Sequence, residues 1–337
     1  MNHKIKAFRQ RFKDLFVKSF YYSPQFAIAD FLWWMNFYLR SDKSWRRSSK
    51  YLSTKTNFLE RFIEKKYPEI IIKYNNQDCS SNFPDSGKKD FHIWVFWNTG
   101  IDNMPPIVKA CHNQLCKNND NVTLISLDNY REYVSIDDAI LNKVIRGKLG
   151  WANFSDILRT KLLRKYGGLW VDATVWVPKQ VPFDFLNNLD FFSPNGTVEQ
   201  TSRSIKFWTS DKYNWSTWCM WSKNPDNILF SFVAEMMEAV ARDERVWPDY
   251  VFQDFLIDYA ARHFPSVEES MRQCNKHNCP KRLKFMELIN SKYDEQSYNE
   301  IISNEFAFKL SSRTEYKFYT DKDEATYYNH FISESLH

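Results

Sequence analysis

Two aspartates frame the stretch "NFSDILRTKLLRKYGGLWVDATVW", Asn153 to Trp176. Asp156 and Arg159 stand three residues apart, so on a helix they share one face. As a bare surface ion pair they would be worth a fraction of a kcal/mol. Ser155 can cap that helix and Gly167 with Gly168 can end it. The helix start, polarised positive, suits an anion. "GLWVDATV" then reads as a buried strand that brings Asp172 out near the ligand-binding edge of a sheet. A buried carboxylate costs several kcal/mol unless something pairs with it. With the Thr174 hydroxyl two residues on, Asp172 suits a hard divalent cation that bridges phosphate oxygens. The spacing therefore predicts a diphosphate held through a metal at Asp172, with Asp156 and Arg159 gripping the rest of the ligand.

Elements that can position these side chains lie on either side. "FHIWVFWNTG", Phe91 to Gly100, is a short apolar run ending at a turn. A helix over "PPIVKACHNQLCK" and a strand over "NVTLISLD" follow it. Strand, helix and strand at this spacing predict an α/β fold with a parallel sheet. Its ligand edge would fall near Trp97 to Gly100 and Leu127 to Asn129. "FQDFLIDY" places Asp254 and Asp258 one helical turn apart, and "YYNHF" carries Asn329 and His330. Trp215, Trp218 and Trp221 are three apart, which suits core packing or a platform for sugar faces.

"FSDILRTKLLRKYGGLWVDATV" resembles the core motif of the capsular polysaccharide synthesis proteins, relatives of glycosyltransferase family 32 and, more distantly, of the large glucosylating toxins. The shared pattern is Ser-Asp-x-x-Arg, a helix, Tyr-Gly-Gly, a strand and Asp-x-Asp. "IWVFWNTG" is similar to that family's first strand. The likeness covers roughly Phe91 to Ile332 and is strong over Asn153 to Trp176. It implies a GT-A-like, Rossmann-type nucleotide-sugar-binding domain and retaining transfer of a sugar, usually from a UDP-sugar with Mn²⁺ or Mg²⁺. Carried over by motif, Asp156 would bond donor sugar hydroxyls and Arg159 the ribose or sugar side. Trp97 would stack on the uracil, and Gly168 belongs to the donor-binding motif. Asp172 would bind the metal, with Thr174 beside it and His330 completing the metal site; Asn329 would complete the diphosphate site. Asp254 would orient the acceptor hydroxyl or act as base, and with Asp172 it makes up the expected catalytic pair. One departure is plain: the second Asp of Asp-x-Asp is Thr174 here, and a neutral hydroxyl binds a cation less strongly than a carboxylate.

Residues 1–66 differ from the remainder, with 15 Lys and Arg against 5 Asp and Glu. The formal charge of +5 therefore hides a near-neutral to acidic remainder. "MNHKIKAFRQRFKDLFVKSFYY" is a basic amphipathic helix, and "FAIADFLWWMNFYL" is apolar but too short to span a bilayer. Two roles fit residues 1–74: a helical cap with solvated charges, or a membrane surface with Trp33, Trp34, Phe37 and Tyr38 at the interface. Residues 75–90 read as a polar linker, and 91–337 as the glycosyltransferase domain. The acceptor expected on these grounds is a lipid-linked glycan of capsule, exopolysaccharide or O-antigen. A non-catalytic scaffold of the assembly machinery and a protein-glycosylating effector are the alternatives.

Composition closes several other routes. The 7 glycines form neither of the common phosphate-cradling loops, and nothing resembles a recognised nucleic-acid fold. The 6 cysteines are too sparse for a disulfide scaffold and follow no secretory signal, which predicts reduced thiols in a cytoplasmic protein at the inner membrane face. "CNKHNC", Cys274 to Cys279, lacks the second thiol pair of a usual zinc site.

Overall fold

The computed structural model describes residues 2–39, 42–80, 91–196 and 213–336. Four helices open the chain: α1 (Asn2–Tyr21), α2 (Pro24–Leu39), α3 (Asp42–Lys66) and α4 (Pro68–Ser80). Then come β1 (Ile93–Phe96), α5 (Pro106–Asn118), β2 (Val122–Ile125), α6 (Tyr130–Tyr133), α7 (Asp138–Ile145) and α8 (Trp151–Tyr166). β3 (Gly168–Val171), β4 (Val175–Trp176), α9 (Phe183–Leu186), β5 (Phe191–Phe192) and β6 (Cys219–Ser222) follow. The chain continues with α10 (Ile228–Asp243), α11 (Phe252–His263), α12 (Pro265–Cys274), α13 (Lys284–Leu288), α14 (Glu295–Asn304), β7 (Phe308–Lys309) and α15 (Tyr327–Leu336).

The main sheet has the order β2-β1-β3-β6-β5. β1 runs parallel to both β2 and β3, while β6 is antiparallel to β3 and to β5. β1 and β3 are buried at every position, as apolar runs covered on both faces should be. Fully buried Trp94 and Trp221 tie neighbouring segments together. Their indole N–H groups donate to Gly167 O at 3.0 Å and Leu189 O at 2.9 Å. The expected mixed α/β fold with a parallel-strand centre is therefore present. β4 and β7 form a second, two-stranded antiparallel pair in which Val175 lies opposite Lys309.

The N-terminal helices pack on the rest of the chain through named contacts. Lys66 pairs with Glu244, Tyr74 donates to Glu235 at 2.7 Å, and Arg262 pairs with Glu60 at 2.5 Å. Deep between α1, α2 and α3, Asp30 accepts from both Lys18 and Lys55 at 2.7 Å, and Lys55 also meets Asp249. Burial alone would raise the Asp30 pKa, but the two lysines hold it well below the ordinary carboxylate range.

Two expectations need correction. Residues 75–80 continue α4 rather than starting a linker, and Asp78 there accepts from the Ser266 backbone N–H at 3.2 Å; residues 81–90 lie outside the described residues. Trp33 is buried, with the Lys55 ammonium 4.2 Å from its ring centre, and Trp34 is half-buried. The side chains of Phe37 and Tyr38 lie outside the described residues. The exposed aromatic face stands on α1 instead. Phe8, Phe12, Phe16 and Phe20 recur every four residues and are 48%, 47%, 63% and 84% exposed. Among the described residues no helix is long and apolar enough to cross a membrane.

Candidate active site

The carboxyl ends of β1 and β3 and the start of antiparallel β6 share one edge of the sheet. Over that edge lies a cavity of about 740 Å³, walled by Trp97 and Asn98 after β1 and by Asp172, Ala173 and Thr174 after β3. Trp215 to Trp218 before β6, the first turns of α8 and α11, and Lys309 with Arg313 complete the wall. Six of the expected donor, metal and catalytic residues line it: Trp97, Asp156, Arg159, Asp172, Thr174 and Asp254.

Helix α8 begins one turn earlier than its sequence suggests, at Trp151 after Gly150, so Ser155 lines the cavity instead of capping. It ends at Gly167, whose φ of 66° is the left-handed conformation that glycine adopts freely. That bend turns the chain into β3. Gly168 has φ 89°, and an added Cβ would stand 2.4 Å from His92 O. Gly168 is therefore required where β3 crosses β1, at the end of the strand away from Asp172, and does not line the cavity. Its expected place in donor binding is corrected to a packing role.

Arg159 is the hub of the site. Its guanidinium donates to Asp156 at 2.7 Å and to Gln253 at 3.2 Å, meets Thr217 O, and lies 3.7 Å from Asp172. It also rests 5.2 Å from the Trp170 ring centre. The side chain is only 4% exposed, so from its place in the cavity wall it chiefly holds two carboxylates in position. Asp156, 18% exposed, is the member of this pair that a ligand can touch.

Asp172 answers the question posed by its sequence setting, and its partner is a side chain that the sequence reading did not single out. One oxygen accepts from the Trp170 indole at 2.9 Å, and the other from Lys309 Nζ at 2.8 Å. The same ammonium donates to Thr174 Oγ1 at 2.9 Å. Burial would raise the Asp172 pKa, yet Lys309 and then Arg159 hold it below the ordinary range. Lys309 reaches this point because β7 pairs with β4 and Leu310 N donates to Thr174 O at 2.8 Å. The only local signal was a lone lysine inside the apolar run "FAFKL".

This donor set does not fit a divalent cation. Asp172 is already met by one ammonium and one guanidinium, and Thr174 by the same ammonium. Among the described residues no group of three or more His, Cys, Asp or Glu is arranged to hold a metal. His330 does not complete the site. It stacks on Tyr293 at 4.0 Å, pairs with Glu334 at 3.2 Å and faces a separate pocket beside Gln114 and Lys117. Asn329, next to it on α15, bonds Ser333 and Thr326 and likewise does not line the cavity. Both expectations fail because α15 packs against α5, which carries them past the β4 side of the sheet.

Asp254 stands in the first turn of α11 and accepts from the Trp215 indole at 2.9 Å. Burial pushes its pKa up to about 6, although that hydrogen bond and Arg159 pull it down. Asp156 is pushed up to about 7, chiefly by burial and also by Asp254 and Asp172, against the pull of Arg159. Asp258 is turned away and pairs with Arg262 at 2.9 Å. The three spaced tryptophans divide: Trp215 and Trp218 line the cavity, while Trp221 is core. Ring faces, titratable carboxyls and fixed cations thus converge in a space large enough for a nucleotide-sized ligand.

Comparison with known proteins bears on this arrangement. Over 95 residues the chain is 30% identical to the O-glycosyltransferase braB of Annulohypoxylon truncatum, a match covering 25% of this chain and 23% of that protein. The chain thus spans about a quarter of that relative's length. The family model for capsular polysaccharide synthesis proteins matches residues 41–331, which includes the whole cavity wall. On that match the chain belongs to the capsular polysaccharide synthesis protein family.

Proposed function

We propose that the protein is a glycosyltransferase with a GT-A-like domain, moving a hexose from a nucleotide donor, first of all a UDP-sugar, to a lipid-linked glycan. The observation that carries this reading is the convergence of Asp156, Asp172 and Asp254 with Trp97 in one cavity at the carboxyl edge of the parallel strands. Trp97 offers a flat face to a base, and Asp156 offers an acceptor to sugar hydroxyls. In the reaction, an acceptor hydroxyl oxygen bonds to the anomeric carbon of the donor as the bond from that carbon to the diphosphate oxygen breaks. With retention the attack comes from the same face, and the hydroxyl proton passes to the departing diphosphate. In this reading Asp254 orients the acceptor hydroxyl through its second oxygen.

Features outside the cavity support a lipid-borne acceptor. A groove of about 540 Å³ between α1 and residues 147–150 and 245–250 is lined by Arg11, Lys13, Lys18, Lys148 and Arg245. Tyr250 borders both this groove and the cavity. On another face of the same helix stand the exposed phenylalanines, which suit the boundary between headgroups and acyl chains. Anionic lipid phosphates and a sugar carried on them would then lie on the route to Asp254. In this reading the protein works at the inner face of a bacterial membrane, on capsule, exopolysaccharide or O-antigen precursors.

A titration of intrinsic fluorescence tests the donor side, because Trp97, Trp151, Trp170, Trp215 and Trp218 all line the cavity. UDP or another nucleoside diphosphate should quench saturably, and Trp97→Phe should weaken that response about tenfold. A flat signal for every nucleoside diphosphate would contradict the proposal.

A further inference from the structure

We propose that Lys309 stands in for the divalent cation, so that the diphosphate of the donor is bound by an ammonium built into the fold. The inference rests on the nucleotide-sugar reading above and specifies how that site holds its most charged part. Lys309 Nζ lies between Asp172 Oδ2 and Thr174 Oγ1, at 2.8 Å and 2.9 Å. These are the two motif positions at which the sequence predicts a metal. An ammonium has three N–H donors, and these two contacts leave one for a phosphate oxygen. The side chain is 27% exposed at the cavity wall, so a ligand can reach it.

The lysine is held from both sides. Its backbone N–H donates to Arg282 O at 3.0 Å, and the next residue, Leu310, donates to Thr174 O at 2.8 Å. Pairing with Val175 fixes its register opposite the motif. Exposed Arg313, four residues on, lines the same cavity and supplies a second positive charge. Together the two match the double charge of a metal ion. The threonine at the second motif position becomes intelligible on this basis. A carboxylate there would set two negative charges against one ammonium, whereas a hydroxyl accepts a hydrogen bond and leaves the cation's charge for the ligand. As the bond from sugar to diphosphate breaks, negative charge grows on the leaving oxygen, and a fixed cation beside it lowers the barrier.

Calorimetric titration with UDP and, separately, with inorganic pyrophosphate tests this on the full chain, in EDTA and again in Mn²⁺. Wild type should bind UDP with affinities within about twofold in the two buffers. Lys309→Met should weaken binding in EDTA by about tenfold or more, as expected for a lost charge-assisted hydrogen bond, and should recover part of it in Mn²⁺. Lys309→Arg, which keeps the charge, should lie between them, and Arg313→Ala should weaken both probes without creating a metal requirement. If wild type binds UDP only with Mn²⁺, the inference is overturned while the transferase reading stands. If pyrophosphate binds in a Lys309-dependent way but no nucleotide does, the cationic site stands and the nucleotide-sugar reading falls. If neither probe binds in EDTA, the inference falls whatever the nucleotide does in Mn²⁺.

Discussion

Lys309 and Asp172, 137 residues apart in the chain, meet at 2.8 Å, and the same ammonium reaches Thr174 at 2.9 Å. The contact joins the main sheet to the two-stranded pair. Asp172 leaves the end of β3, and Lys309 arrives on β7 through its pairing with β4. The carboxylate that follows a buried strand is thus matched from within the chain by Lys309 on one side and Arg159 on the other.

Arg159 is expected to act on kinetics through the two carboxylates it holds. Arg159→Met leaves Asp156 and Asp172 short of a buried partner and should destabilise the protein by about 3 kcal/mol. Arg159→Lys keeps the charge but loses the fork that grips two acids at once. It should lower kcat/KM about a hundredfold with a smaller loss of stability. Thermal melts and steady-state kinetics on both variants check this; wild-type kinetics for Arg159→Lys would contradict the positioning role.

Asp254 sets a pH prediction whose sign follows from its raised pKa. The folded protein holds this carboxyl at about 6, above the ordinary value near 4, so ionisation at neutral pH works against folding. Asp254→Asn should therefore be more stable than wild type at pH 8, by on the order of 2 kcal/mol. The advantage should shrink as pH falls through 6 and vanish below about 4. Turnover moves the opposite way: it should decline in wild type as pH drops from about 7 to 6, where Asp156 and then Asp254 take up protons, and the variant should lose most activity. Melting temperatures and rates measured from pH 4 to 8 settle both signs.

The phenylalanine face of α1 should carry membrane contact. Replacing Phe12 and Phe16 by serine removes two exposed rings without touching the cavity. Co-sedimentation with vesicles containing anionic lipid should fall about tenfold, while hydrolysis of a soluble donor should stay within twofold of wild type. Raising salt should weaken the binding that remains, because Lys13, Lys148 and Arg245, which line the groove, are exposed. Undiminished sedimentation of the double variant would remove α1 from the account.

Asp30 is expected to be a structural keystone of the N-terminal helices. Asp30→Ala leaves Lys18 and Lys55 buried without it and should cost about 3–5 kcal/mol. Because its folded pKa is depressed, the contribution is present above about pH 4 and is lost as pH falls further. Acid titration of stability should therefore be shallower in the variant than in wild type. Equal slopes would show that other carboxylates dominate acid unfolding.

The sequence displayed those parts of the site that are local. From Asp156 to Thr174 the helix, glycine break and strand are contiguous, so spacing alone places the side chains relative to one another. Trp97 was legible because it closes an apolar run, and strand ends in parallel sheets face ligands. What long-range packing decides was not legible. Asn329 and His330 ride on α15, whose docking against α5 takes them elsewhere, and Lys309 enters only through the pairing of β7 with β4. The exposed face of α1 was present in the spacing of Phe8, Phe12, Phe16 and Phe20. The more apolar α2 is the one its neighbours cover, and apolar content does not say which helix that is.

The most direct test of the central claim is release of nucleoside diphosphate from a panel of nucleotide sugars, beginning with UDP-hexoses, by wild type and Asp172→Ala. The account predicts slow turnover of one donor by wild type, continuing in EDTA, and at least a hundredfold loss in the variant. Equal turnover by the two proteins, or none of any donor by wild type, would contradict a glycosyltransferase site built around Asp172.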